Sequence, residues 1–233
     1  MVILSIDTST HSGSVAVTQE FQILSQKKIT GPIPFSQILL RAVDDCLNEA
    51  GVGMSEIDAF AVARGPGSFT GLRLGIALVN GLALATGRPS VGVDTLHAMA
   101  FLAPKTERMI CPLLDARKNE IYGATFLHDG DELRRQTGDV VEPLEDFLQK
   151  LPGKTLFLGN GAEIHREKIE TFLKDQAFFD TKDPQRPVAP GVGFLAWSLL
   201  KQNAGQGGDA PIMPFYIRRC EAEIKINVKT SAI

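Results

Sequence analysis

The pattern of apolar and polar residues predicts two similar hairpins, one at the start of the chain and one near its middle. An apolar strand over residues 3–7 ends in Asp7 and returns, after a polar turn, over residues 14–17. A comparable apolar strand ends in Asp115 and returns over residues 121–126. Helical and strand patterns follow each hairpin, which indicates two α/β halves. The pattern alone leaves open whether the halves arose by duplication.

The first half contains three segments with helical periodicity. They cover residues 35–50, 68–86 and 95–102, and a strand over residues 58–63 lies between the first two. In the second half the pattern predicts a strand over 155–158, helices over 164–174 and 192–202, and an extended tail from Pro211. The glycine-rich run at 204–208 is expected to end the last helix.

Composition supports a folded chain with a large core. The chain has 233 residues, of which 44% are hydrophobic and 22% charged, so it can bury a core without disulfides or metals. We predict one domain over residues 1–104 and a second over 105–233, with the last helix packing back on the first domain. The N-terminus lacks the basic region of a signal peptide, and a cytoplasmic protein is expected.

The charge and cysteine patterns argue against several functional classes. A formal net charge of −3 disfavours a protein that grips nucleic acid by itself, so any contact with tRNA is expected to be indirect. Cys46, Cys111 and Cys220 are widely spaced and form no Cys-x-x-Cys pair. Neither a disulfide framework nor a zinc knuckle is predicted.

Two predicted helices are more apolar than one sheet requires. On a helical wheel, the apolar residues of segment 35–50 span an arc of roughly 200°, about twice what a single sheet covers. Segment 71–85 is apolar on nearly every face, and Arg73 and Asn80 form its only polar stripe. Because it is shorter than a bilayer span and carries these two polar groups, we predict a buried helix and no membrane association.

This surplus of apolar surface predicts a protein partner. Gly71 and Gly75 lie four residues apart, which would let another backbone approach closely. The predicted interface consists of apolar and small residues from both helices: Ile38, Leu39, Leu40, Ala42, Val43, Leu47, Gly71, Leu72, Gly75, Leu78 and Leu82.

Candidate chemistry is sparse. Residues 65–73 form a glycine-rich turn at the start of a helix, and such a turn suits an anion site. A glycine-rich turn considered alone, however, is more often a tight connection that binds no ligand. It is not a Walker A loop, since no lysine occurs between Lys28 and Lys105. No two histidines have metal-ligand spacing and no Gly-x-Ser-x-Gly elbow is present, so neither a metal site nor a nucleophile is predicted.

The two hairpin aspartates and the hydroxyls beside the first are the remaining candidates. Asp7 and Asp115 suit a hydrated metal beside a phosphate, but turn-capping is the favoured role. The hydroxyls of Thr8, Ser9 and Thr10 suit a vestigial phosphate loop, although turn hydroxyls usually satisfy their own backbone. No cofactor is predicted.

Five motifs together closely resemble the TsaB (YeaZ) family. They lie at residues 6–10, 63–75, 92–96, 114–118 and 214–218, and they span nearly the whole chain in the family's order. The resemblance implies two actin-like (ASKHA, ribonuclease H-like) domains, the second of them degenerate.

The resemblance also implies a role in synthesis of N6-threonylcarbamoyladenosine at position 37 of ANN-decoding tRNAs. The resemblance implies that TsaB is a non-catalytic scaffold subunit, related to TsaD, that activates TsaD. It binds TsaD through its first two helices, which match segments 35–50 and 68–86 here, and the pair works with the ATPase TsaE. Whether the chain forms a homodimer without TsaD is left open.

Three features depart from an active actin-like enzyme or from the family pattern. The first helix begins Phe35-Ser36 where the family often has His-Ser. The second hairpin tip, residues 116–118, lacks the glycine and hydroxyl of a phosphate loop, and residues 159–161 are at best a remnant of an adenosine loop. ATP hydrolysis by the chain alone is therefore not expected, while a weak nucleotide site stays open. The alternative functions are a small actin-like kinase and a glycopeptidase-type hydrolase.

Overall fold

The computed structural model describes residues 1–180, 186–202 and 210–218. The elements of the first half are β1 (Val2–Asp7), β2 (Gly13–Gln19), β3 (Gln22–Ile29), α1 (Phe35–Ala50), β4 (Ala59–Gly65), α2 (Phe69–Thr86), β5 (Ser90–Asp94) and α3 (Thr95–Phe101). Those of the second are β6 (Met109–Asp115), β7 (Glu120–Gly123), β8 (Phe126–Asp129), β9 (Glu132–Arg135), β10 (Val140–Pro143), α4 (Leu144–Leu148), β11 (Thr155–Leu158), α5 (Asn160–Ile164), α6 (Arg166–Leu173), β12 (Ala177–Phe179) and α7 (Ala189–Gln202).

The strands form two sheets with the same order. The first sheet runs β3-β2-β1-β4-β5, with antiparallel pairing among β1, β2 and β3 and parallel pairing of β1 with β4 and of β4 with β5. The second runs β10-β7-β6-β11-β12 with the same directions, and β8 and β9 form an extra hairpin beside β6. The repeated order confirms the α/β, actin-like fold class that the resemblance implies.

The hairpin of the second half pairs over a shorter length than the hairpin of the first. β1 pairs with β2 along its whole length, whereas β6 pairs with β7 only from Leu113 to Asp115. The predicted strand over 121–126 splits into β7 and β8, because the backbone of Thr125 bonds to Thr137 and Gln136 instead of to β6. The predicted helix over 164–174 is found as α6 over Arg166–Leu173, and it starts after His165 because that residue, with φ −103° and ψ 14°, separates it from α5.

Helices cover both faces of the first sheet. α1 and α2 pack on one face, where Leu4, Ile6, Phe60 and Val62 form the core with residues of both helices. Small residues of β4, chiefly alanines, point to the other face and let α7 lie against the sheet. α7 thus packs on β1, β2, β4 and β5 of the first sheet. The domain boundary predicted at residue 104 stays a prediction.

The start of α2 is fixed by the first hairpin tip. Ser68 caps the helix by accepting a hydrogen bond from the Gly71 amide at 3.3 Å. A Cβ at Gly71 would lie 2.0 Å from the Thr8 carbonyl oxygen, and one at Gly75 would lie 2.4 Å from Thr8 Oγ1. The close approach that these glycines permit is therefore internal, and the prediction that they face a partner is wrong.

The polar stripe of α2 is covered by the C-terminal tail. The Asn80 amide group bonds both the N–H and the carbonyl of Ile212 at 3.0 Å, and Arg73 Nε donates to the Tyr216 hydroxyl at 2.9 Å. This contact explains two polar residues that the helical pattern left without a role. Residues 211–216 form no helix or strand, and the glycine run at 204–208 lies outside the described residues.

α2 is only partly buried, contrary to the prediction of a fully covered helix. Leu72, Ile76 and Val79 pack on the sheet, but Leu84 is 87% exposed. Within the described part of the chain, α2 is the one helix long and apolar enough to cross a bilayer, a weak criterion that core helices also meet. Packing on the first sheet accounts for the apolar residues on the buried side of α2 only.

Candidate functional site

A cleft between the two sheets brings the two hairpin tips together. One cavity of about 300 Å³ lies on the side of Asp7, α3 and α5. A second cavity of about 370 Å³ lies on the side of Asp115, the start of α2 and the tail. Both are lined by Thr10, His11, Leu114 and Asn160, so they form one continuous cleft.

The two aspartates have the same local role. Asp7 Oδ1 accepts a hydrogen bond from the Ser9 amide at 3.0 Å, and Asp115 Oδ1 accepts one from the Arg117 amide at 3.0 Å. Each carboxylate thus caps its own turn. Asp7 is 1% exposed, and this burial raises its pKa to about 6, against the opposing effect of hydrogen bonds from Ser9.

Two of the three hydroxyls at the first hairpin tip form hydrogen bonds inside the chain, whereas the buried Ser9 Oγ has no hydrogen-bond partner among the described residues. Thr8 Oγ1 donates to the Gly71 carbonyl at 2.7 Å, and Thr10 Oγ1 donates to the Ser12 carbonyl at 2.8 Å. The Ser9 carbonyl accepts the Ser68 amide at 2.6 Å, which closes the space where the glycine-rich turn meets the hairpin. The candidate phosphate-loop residues are therefore together, as the sequence places them, but their hydrogen bonds already stabilise the fold.

The second hairpin tip, on the opposite side of the cleft, is likewise held by contacts within the chain. Arg117, Lys118 and Asn119 have φ of 62°, 53° and 64°, a left-handed turn without glycine. Arg218 of the tail donates to the Ala116 carbonyl at 2.9 Å and pairs with Glu120. The tail thus ties α2 to the second hairpin across the cleft.

The glycines of the adenosine-loop remnant serve packing. A Cβ at Gly159 would lie 2.5 Å from the Leu113 carbonyl oxygen, and one at Gly161 would lie 2.8 Å from the Leu114 carbonyl carbon. Both positions need glycine because α5 lies directly on β6. Asn160, between them, accepts the Asp115 amide at 3.4 Å.

An ion-pair cluster joins the two sheets, which the sequence pattern did not indicate. Asp94 after β5 accepts Arg64 at 3.0 Å and lies 3.5 Å from Arg135 of β9. Arg135 also pairs with Asp139, whose pKa is raised by burial. His97 stacks on Phe126, and its own burial lowers its pKa. Among the described residues, no group of three or more His, Cys, Asp or Glu is placed to hold a metal ion.

The predicted interface residues separate into two groups. The core of the chain itself contains seven of them: Leu39, Ala42, Val43, Leu47, Gly71, Leu72 and Gly75. The prediction that these seven residues face a partner is corrected. α1 lies against β2, β3 and α2, so most of its wide apolar arc packs within the chain. Leu40 is 65% exposed, and Ile38, Leu78 and Leu82 are half-buried.

A second exposed row on α2 was missed. Ala77, Gly81 and Ala85 lie four residues apart and are all exposed, and a Cβ at Gly81 would meet nothing within 4 Å. Leu84 on α2 and Leu40 on α1 are exposed as well, and we call these five residues the exposed α1–α2 face. The sequence signal was a second series of small residues at intervals of four, at positions 77, 81 and 85 of the same helix.

The chain is similar to proteins of one named group. A family model described as "TsaD: tRNA N6-adenosine threonylcarbamoyltransferase" matches residues 32–226. The chain is 29% identical to the tRNA threonylcarbamoyladenosine biosynthesis protein TsaB of Bacillus subtilis (strain 168), over 97% of each chain. It is 35% identical to the protein of that name in Escherichia coli (strain K12), over 69% of this chain and 72% of the relative.

A solved structure agrees with these sequence relatives. YeaZ from Pseudomonas aeruginosa superposes with a TM-score of 0.73 at 30% sequence identity, covering 93% of this chain and 99% of that one. The match extends over both sheets. Together with the repeated strand order and the five motifs, it shows that the chain belongs to the TsaB (YeaZ) family.

Proposed function

We propose that this protein is a non-catalytic subunit that binds TsaD in the synthesis of N6-threonylcarbamoyladenosine at position 37 of ANN-decoding tRNAs. Family membership and the names of the relatives support the pathway. TsaE would act on the TsaB–TsaD complex, in the cytoplasm. The observation that carries the partner role is the exposed α1–α2 face, with Leu84 87% and Leu40 65% exposed.

This face has the chemistry of a helix-packing interface. Ala77, Gly81 and Ala85 lack bulky side chains, so a partner helix can approach α2 closely along this row. Leu40 and Leu84 are the large exposed side chains of this face, and they would enter the grooves between side chains on the partner helices. Two helices on one face of a sheet, packed on two helices of TsaD, would form a bundle that buries all of these residues.

The state of the cleft supports the non-catalytic role. The hydroxyls of Thr8 and Thr10 bond backbone carbonyls, and Asp7 caps its turn. Arg218 and Phe215 of the tail line the other cavity. An actin-like kinase needs both hairpin tips free for phosphates, so purified chain is expected to show no ATP turnover above background. Turnover abolished by Asp7→Ala would favour the kinase alternative.

The partner role is tested with charges on the exposed face. Leu40→Glu and Leu84→Glu should each leave a cooperative thermal transition, because both side chains point to solvent in the isolated chain. Each should lower the affinity for TsaD, measured by calorimetry, by about 100-fold, since an unpaired buried charge costs about 3 kcal/mol or more. Threonylcarbamoylation in a reconstituted assay should fall with it.

Phe172→Glu is the matched control, because Phe172 is 44% exposed on α6, away from this face. It should bind TsaD as the wild type does. Sedimentation of the isolated chain at rising concentration tests whether the same face also joins two copies. Normal TsaD binding by both face variants would place the interface elsewhere on the molecule.

A further inference from the structure

The cavity beside Asp7 has walls that suit a small organic molecule. Its volume of about 300 Å³ lies at the lower end of the range for ligand pockets. Most of its wall is apolar and comes from both halves of the chain: Met99 and Leu102 from the α3 end, Leu114 and Leu158 from the second sheet, and Val188 before α7. A ligand there would contact both sheets at once.

A buried carboxyl group forms the polar part of the wall. Asp7 ends β1 at the back of the cavity and is 1% exposed, so its charge is poorly hydrated. A ligand that brings a positive charge would replace the missing hydration, whereas an anion would be repelled. The turn-capping bond from Ser9 occupies Oδ1 and leaves the carboxylate with further lone pairs to accept hydrogen bonds.

The charges around Asp7 favour a cation overall. Asp180 pairs with Arg186 at 3.0 Å, so these two charges offset each other, and the remaining charged residues of the wall are Asp7, Glu163 and Lys28. The residues that carry these charges belong to the first hairpin, β3, α5 and the segment before α7. The ionisable groups of the described wall other than Asp7 are His11, Lys28, Glu163, Asp180 and Arg186.

We propose that this cavity binds a compact primary amine with an apolar body, whose ammonium group pairs with the Asp7 carboxylate. The apolar body fills the space between Met99, Leu114 and Leu158. A phosphorylated ligand does not fit this chemistry, because its charge would face Asp7 and Glu163. The inference rests on the cavity alone and is independent of TsaD binding.

Calorimetry with three related probes tests the charge preference. Tryptamine carries an ammonium group, 3-methylindole carries no charge, and indole-3-acetate carries a carboxylate on the same ring. We expect saturable one-to-one binding of tryptamine, binding of 3-methylindole at least tenfold weaker, and no saturable heat with indole-3-acetate. Absence of tryptamine binding at millimolar concentration, or equal binding of the acid, overturns the proposal.

The pH dependence identifies the group without any substitution. The pKa of Asp7 is raised to about 6, so the carboxylate is almost fully ionised at pH 8 and about one-tenth ionised at pH 5. Tryptamine keeps its positive charge across this range. Its affinity should therefore fall about tenfold from pH 8 to pH 5, and the fall should persist in His11→Gln. A dependence that vanishes in His11→Gln would assign the effect to His11 and refute the role of Asp7.

Two aspartate variants form a matched pair. Asp7→Asn should weaken tryptamine binding at pH 8 at least tenfold and remove its pH dependence. Asp115→Asn, at the corresponding place on the second hairpin, faces the other cavity and should bind as the wild type does. If Asp7→Asn lacks a cooperative thermal transition, Ala103→Phe, which fills the cavity from its rim, replaces it and should abolish binding. Wild-type affinity in a folded Asp7→Asn or Ala103→Phe overturns the site.

Discussion

The two ends of α2 have similar sequences but opposite environments. At the N-terminal end, Gly71 and Gly75 pack closely against Thr8 of the first hairpin. At the C-terminal end, Ala77, Gly81 and Ala85 repeat the same spacing in open solvent. Small residues at intervals of four therefore coincide with close packing inside the chain at one end and with open solvent at the other.

The difference explains why an apolar helix is left partly uncovered. The first sheet and the hairpin tip bury only the side of α2 that carries Leu72, Ile76 and Val79. The tail covers the polar stripe at Arg73 and Asn80. What remains is apolar and small, so a partner that supplies a helix would complete the packing.

Identical substitutions at the two ends should have opposite effects on folding, and this is the largest expected contrast. Gly75→Leu should lower the free energy of unfolding by about 3 kcal/mol or more, since its Cβ would lie 2.4 Å from Thr8 Oγ1 and 3.3 Å from Val62. Gly81→Leu should fold at least as stably as wild type but lose TsaD binding. Urea denaturation and calorimetry measure the two effects. Equal stability of both variants would contradict the inward orientation of Gly75.

Asn80 lies between Gly75 and Gly81 on α2, and its loss should have an intermediate effect. Asn80→Ala removes both hydrogen bonds to Ile212 and should cost about 2 kcal/mol in the free energy of unfolding. Tyr216→Phe, which removes only the exposed hydrogen bond from Arg73, is the control and should cost under about 1 kcal/mol. If Asn80→Ala costs no more than Tyr216→Phe, the tail does not stabilise α2 through this residue.

The smallest expected effect is a gain. Gly81→Ala should raise the free energy of unfolding by up to about 1 kcal/mol, because glycine is a poor helix former and the added methyl group meets open space. Thermal unfolding and urea titration measure it. A loss of stability would show that Gly81 is packed, contrary to the exposed row.

Secondary structure was predictable where periodicity was long. Residues 35–50 form α1 with the predicted bounds, and residues 155–158 form β11. Half-exposed strands such as β3, β5, β9 and β10 were not predicted, because they carry too few apolar positions to show a period. α7 begins at Ala189, earlier than expected, since Pro190 is tolerated in a first helical turn.

The amino-acid sequence by itself determined the class of fold, the family and the surplus of apolar surface on two helices. These depend on periodicity, on motif order and on composition, all of which can be determined along the chain without knowledge of tertiary contacts. Only the tertiary structure decided which apolar residues are surplus. Leu39 and Leu40 are neighbours on one helix, yet Leu39 is 4% exposed and Leu40 is 65% exposed. Burial depends on which distant elements surround a helix, and a wheel drawn from one segment does not contain them.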